Sequence, residues 1–155
     1  MNEGRRKWKM RVRDLLRHKD SGVVTVTAGA DVAAAVRLMM AHGVGGLPVV
    51  AADGTVTGFV AERDIVRALD EHEHGAAGVT LERIMQKPAT CSLDDPLQDV
   101  MARMTLHRLR HLVVAEGGKP TAVISVGDLV KHRLRQLETE TGVLRDYVAA
   151  QRAST

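Results

Sequence analysis

Two short stretches hold the residues best placed to do chemistry. Ala122–Val123–Ile124–Ser125–Val126–Gly127–Asp128 is an apolar run ending in a hydroxyl and, three residues on, a carboxylate. Gly58–Phe59–Val60–Ala61–Glu62–Arg63–Asp64 repeats it 64 residues earlier, with alanine in the place of Ser125. Each reads as a strand running into a helix. A carboxylate at such a corner offers two acceptor oxygens, and charged acceptors make the stronger hydrogen bonds. A serine hydroxyl beside the free amides of a helix start suits anionic oxygens. The chemistry in view is recognition of a polar, partly anionic ligand. A structural reading competes, because Ser-x-x-Asp is also a helix capping pattern. It accounts for Asp64 less well, since the Ala61 side chain cannot cap.

Nothing in the chain assembles a reaction centre. There is no nucleophile–base pair, no metal-ligand cluster and no phosphate loop of the G-x-x-x-x-G-K type. Cys91, the only cysteine, falls in an apolar strand and reads as core, so no internal disulfide forms. His72–Glu73–His74 lacks further ligands at a recognisable spacing. The expectation is a protein with no catalytic residue and no metal, not an enzyme.

The elements that must position the two corners form one unit written twice. Val12–Arg13–Asp14–Leu15–Leu16 reads as a short helical turn. Val23–Val24–Thr25–Val26–Thr27 is β-branched throughout and reads as a strand. Asp31 is placed to cap a helix whose Val32, Val36, Met39 and Met40 share one face. Three glycines within His42–Gly43–Val44–Gly45–Gly46 end it. Leu47–Pro48–Val49–Val50 and Val56–Thr57–Gly58–Phe59–Val60 are strands joined by an Asp53–Gly54 hairpin signal. A helix runs from Glu62 to about Glu71. At an offset of 65, Ala89–Thr90–Cys91, then Leu97, Met101 and Met104, His107, and Leu112–Val113–Val114 repeat this order. A hairpin one residue shorter, Glu116–Gly117–Gly118–Lys119, changes the offset to 64. After Asp128 a long helix is expected to about Ala150, with Val130, Leu134, Leu137, Thr141, Leu144 and Val148 on one stripe. Gly142 weakens it by roughly 1 kcal/mol. The stripe fits packing on its own domain or on a second subunit.

These residues resemble the cystathionine-β-synthase (CBS) domain pair, or Bateman module, over about residues 12–135. The carriers are the doubled strand–helix–strand–strand–helix unit, its two closing corners, and the Leu47–Pro48–Val49–Val50 segment. The fold expected is α+β (α/β): a tandem pair of βαββα units with pseudo-two-fold symmetry and a long C-terminal helix. The boundaries expected are a basic leader 1–11, first domain 12–74, linker 75–79, second domain 80–135 and helical tail 136–155. The resemblance implies two clefts that take adenosine-containing ligands, AMP favoured, with ADP, ATP, NADH or S-adenosylmethionine as others of the class. It implies a non-catalytic regulatory module that senses energy or redox state and passes it on through a homodimer or an unnamed partner. By position, Asp128 and Asp64 would take the ribose, and Ser125 matches the family's Ser/Thr while Ala61 does not. Arg110 and His111 resemble residues at the phosphate end, with Arg63 their counterpart. Met85, Ala89 and Leu109 in one copy, and Val24, Val44, Gly45 and Gly46 in the other, fall at family-like cleft positions. Grouping Ser125, Asp128, Arg110 and His111 together makes that cleft the tighter one.

Composition narrows the classes. With 45% hydrophobic and 26% charged residues over 155 positions, a buried core is expected. Aromatics are 2%, so base stacking on aromatic side chains is nearly unavailable. The net charge of +3 is unevenly spread: residues 1–20 hold eight basic and three acidic side chains. A nucleic-acid-binding protein using this basic leader, with Trp8 alone among its charges, is the alternative function. No apolar run approaches the roughly 18–20 residues that span a membrane, and no signal-peptide stretch follows the basic N-terminus. A cytoplasmic location is expected.

Overall fold

The structure is a computed structural model that describes residues 10–19 and 22–153. Trp8 and most of the basic leader, with the break at Ser21, lie outside the described residues. The chain divides into two compact bodies, one ending at Ile124 and one beginning at Ser125.

In the first body α1 (Val12–Leu16) precedes β1 (Val26–Thr27), α2 (Val32–His42), β2 (Gly46–Val50), β3 (Val56–Ala61) and α3 (Glu62–Glu71). A single 3-10 turn (Leu81–Arg83) then precedes β4 (Thr90–Cys91), α4 (Leu97–Leu106), β5 (His111–Glu116) and β6 (Lys119–Ser125). Two three-stranded sheets result, ordered β1-β2-β3 and β4-β5-β6. β1 runs parallel to β2 with Val26 opposite Val49. β4 runs parallel to β5 with Cys91 opposite Val114. Both members of this pair are shifted by 65 residues, so the repeat read in the sequence is a repeat of strand register. β2 and β3 are antiparallel, with Val49 opposite Gly58 and Val50 opposite Val56, which leaves Thr57 as a bulge. The first copy is one residue longer than the second in this same stretch.

The Val23–Thr27 strand shortens to Val26–Thr27. β-branched residues favour extended backbone, but a strand needs a partner, and β2 offers pairing only at Val49 and Val50. The helix faces also differ from expectation. α2 buries Val32, Ala35 and Met39, while Val36 is 38% and Met40 80% exposed. α4 buries Leu97, Val100 and Met104, and Met101 is 37% exposed. Both helices meet their sheet along positions i, i+3 and i+7, and Ala35 at the centre of that stripe lets α2 approach closely. Asp31 caps α2 as expected, its carboxylate accepting from the Ala34 amide at 2.8 Å. The first core gathers Val26, Val32, Ala35, Met39, Leu47, Val49, Val60, Ile65 and Leu81.

A short segment leads into each copy, α1 before the first and the Leu81–Arg83 turn before the second, and these two leaders, distinct from the basic leader 1–11, are exchanged. The Val12 and Arg13 amides donate to the Asp95 and Leu93 carbonyls, each at 3.0 Å, and Leu97 N donates to Met10 O at 2.8 Å. In mirror fashion the Leu81 and Glu82 amides donate to Ala30 O at 2.8 Å and Ala28 O at 3.1 Å, and Val32 N donates to Val79 O at 2.9 Å. Thus α1, next to the first copy in sequence, packs on α4 of the second, and the Leu81–Arg83 turn packs in the first core. A second link joins the copies: Phe59 and Gln86 exchange both backbone hydrogen bonds, each at 2.9 Å.

The second body is α5 (Val126–Ala153). It starts two residues before Asp128. On the expected stripe, Val130, Leu134, Leu137, Leu144 and Val148 are each at least 42% exposed. No helix among the described residues is long and apolar enough to cross a membrane.

Candidate ligand-binding cleft

At each corner the carboxylate first serves the backbone. Asp64 Oδ2 accepts from the Ala61 amide at 2.8 Å, and Asp128 Oδ2 accepts from the Ser125 amide at 2.8 Å. Ser125 Oγ returns a bond by accepting from the Asp128 amide at 3.2 Å, so the second corner is a reciprocal capping box. The first lacks the return bond because Ala61 has no hydroxyl. Capping uses one of the roughly four lone-pair positions of a carboxylate, so it does not exclude a ligand. Asp64 Oδ1 also faces Arg67 Nη1 at 3.5 Å, and Asp64 is the one buried charged residue of the described chain.

Asp64 opens onto a cleft of about 290 Å³, at the small end of the range for ligand sites. Ala61, Arg63 and Asp64 line it from the β3–α3 corner. Ala89, Leu109, Arg110 and His111 line it from the second copy. These seven expected residues therefore share one site. Arg110, His111, Leu109 and Ala89, expected beside Ser125 and Asp128, line the cleft at Asp64. The Phe59–Gln86 hydrogen bonds hold the segment before β4 against β3, which carries Ala89 to the Asp64 side. His111, at the start of β5, stacks obliquely on Phe59 with ring centroids 5.3 Å apart.

The remaining expected residues do not line this cleft. Val24 and Val44 are partly buried against the first core. Gly46 lies beneath Phe59: an added Cβ would come within 2.5 Å of the ring, so any side chain there would displace it. Gly45 faces His111, whose Nε2 would lie 3.5 Å from such a Cβ. Met85 packs over Gly58, where a Cβ would meet its sulfur at 2.3 Å.

Six lining residues were not anticipated from the sequence: Phe59, Arg67, Gln86, Lys87, Arg108 and Val113. Phe59, Leu109, Val113 and Ala89 supply apolar wall for a flat ring. Arg63, Arg67, Lys87, Arg108 and Arg110 supply cations. A signal for Arg108 does exist in the chain. Where the first copy reads Gly43–Val44–Gly45–Gly46, the second reads Arg108–Leu109–Arg110–His111. A wider groove of about 710 Å³, lined by Thr55, Thr57, Lys87, Thr90 and Ser92 among others, contains no carboxylate and none of the expected residues.

The sequence pattern of the CBS domain matches the chain twice, over residues 12–71 and 81–135. The uncharacterized protein YlbB of Bacillus subtilis is 34% identical over 98 residues, which is 62% of this chain and 65% of YlbB. Another curated relative is matched over 40% of its length, so the chain spans less than two thirds of either. The CBS-domain containing protein ATU1752 from Agrobacterium tumefaciens superposes with a TM-score of 0.73 at 34% identity, over 81% of this chain and 95% of its own. The CBS domain pair of protein MJ0100 was solved in complex with 5′-methylthioadenosine and S-adenosyl-L-methionine. It shares the fold, with a TM-score of 0.73 at 20% identity over 82% of this chain and 98% of its own.

Proposed function

The chain belongs to the CBS domain family, as a tandem pair followed by a long helix, and on that premise we propose that it is a non-catalytic regulatory module whose ligand is an adenine nucleotide. The observation that carries this reading is the cleft at Asp64. One site brings together a buried carboxylate, an apolar wall with an aromatic ring, and several cations. A nucleotide needs these three things: an acceptor for ribose hydroxyls, a slot for the base, and donors for phosphate. The adenosine ligands of the MJ0100 pair support the same class. Asp64 would take the ribose through the acceptor positions that the Ala61 amide leaves open. Asp128 is its counterpart in the repeat. AMP, ADP, ATP and NADH share the adenosine part and are the candidates.

Regulation follows if the ligand prefers one of two conformations, since differential affinity shifts their populations. The exchanged leaders tie each copy to the segment preceding the other, so a change at the cleft between Asp64 and Arg110 reaches both. The output passes through a homodimer or a partner surface.

A thermal-shift series with AMP, ADP, ATP and NADH tests the proposal, because a ligand that binds only the folded state raises its melting temperature. A rise is expected with at least one of them. In Asp64→Asn it should shrink to what about tenfold weaker binding gives, with the ligand-free melting temperature nearly unchanged. Asparagine keeps an oxygen for the Ala61 amide but loses the charged acceptor. No shift with any of the four removes the reading.

A further inference from the structure

Resting on the adenine-nucleotide reading, we propose that the Asp64 cleft is selective for a di- or triphosphate, and that Arg108 sets this preference over the monophosphate. Charge comes first. Five cationic side chains line the cleft against one carboxylate. Arg67 is engaged with Asp64, whereas Arg63, Lys87, Arg108 and Arg110 have no ion pair among the described residues. Like charges gathered in one cleft repel each other until an anion joins them. A single phosphate carries about two negative charges near neutral pH, too few for four unpaired cations, and a polyphosphate chain matches them better. A ligand with a cationic sulfonium, such as S-adenosylmethionine, fits worst.

Backbone geometry supplies an independent observation. α2 and α4 end in the same way, with Val44 N donating to Met39 O at 3.1 Å and Leu109 N to Met104 O at 2.9 Å. That closure needs a left-handed residue. The first copy uses Gly43 at φ 62°, whereas the second uses Arg108 at φ 52°, the one non-glycine with positive φ among the described residues. Glycine takes this conformation freely and arginine does not. Strained residues gather at binding sites, where the side chain has a use that offsets the strain. At Arg108 that use is a cation on the wall of the cleft.

The two observations give a test in which affinity and stability move in opposite directions. Calorimetry on the full chain would use AMP, ADP, ATP, S-adenosylmethionine and inorganic tripolyphosphate, at low and high salt. ATP should bind at least about tenfold tighter than AMP, the scale of an added charge-assisted contact, and tripolyphosphate should compete with it. The advantage should shrink as salt rises. In Arg108→Gly the ratio of ATP to AMP affinity should fall to about twofold, while the ligand-free melting temperature holds or rises because the strain is relieved. AMP binding as tightly as ATP, S-adenosylmethionine binding more tightly, or an unchanged ratio in Arg108→Gly would overturn the polyphosphate preference and leave the adenine reading standing. Binding of none of the nucleotides would overturn both.

Discussion

Cys91 shows how burial decides what a residue can do. Its side chain is 6% exposed, opposite Val114 in the second sheet. Burial first, and the Asp95 charge second, push the thiol pKa up to about 12. An exposed thiol ionises near about 8.5 and reacts as the thiolate. In the native protein, alkylation by iodoacetamide should therefore stay slow from pH 7 to 9, without the rise an exposed cysteine shows. Denaturant should release it. Rapid labelling of native protein at pH 8 would contradict this placement. Asp64 is also buried, yet it remains at a cleft, with Arg67 beside it. A capped corner and a ligand site are compatible there because the Ala61 amide occupies only part of the carboxylate. Both aspartates, Arg63, Arg110 and His111 are legible in the sequence. Which of them meet is not, because the repeat relates the copies in sequence and says nothing of which corner faces which strand.

Among the elements, the exchanged leaders have the clearest energetic consequence. Leu81 is fully buried in the first core although it begins the second copy. Leu81→Ala should cost about 2–5 kcal/mol in chemical denaturation, the range for truncating a buried leucine. A cost below about 1 kcal/mol would show that the turn is peripheral. The sequence pattern does not say which core takes Leu81. A short amphipathic turn can bury its apolar side against either neighbour, and here the amide bonds from Leu81 and Glu82 to Ala30 and Ala28 decide it. The buried faces of α2 and α4 depart from the periodic expectation for a related reason. Val36 and Met40 satisfy a helical period as well as Ala35 does, and hydrophobicity alone favours the larger side chains. The sheet instead selects the stripe on which a small residue permits close approach.

For the whole molecule, exposed apolar side chains bear on assembly. Val36 and Met40 on α2, and Val66 and Leu69 on α3, are between 38% and 80% exposed. Such surface is typical of faces that pack on another chain. With the homodimer proposed above, light scattering after gel filtration at micromolar concentration should give twice 16.8 kDa. The double substitution Met40→Glu, Leu69→Glu should lower it to the monomer. A monomeric mass for the unaltered chain would remove the dimer from the proposal.

The sequence alone determined the doubled βαββα plan, its register offsets of 65 and 64, the two carboxylate corners and the family. Periodicity, turn residues and repeated spacing are local properties, and they survive without coordinates. The tertiary structure decided three things that no local pattern encodes: the exchange of leaders, the side of each helix that meets its sheet, and the joining of Asp64 with Arg110, His111 and Arg108. Each depends on contacts between segments far apart in the chain, where hydrogen bonds and close packing select one arrangement among several that the pattern permits.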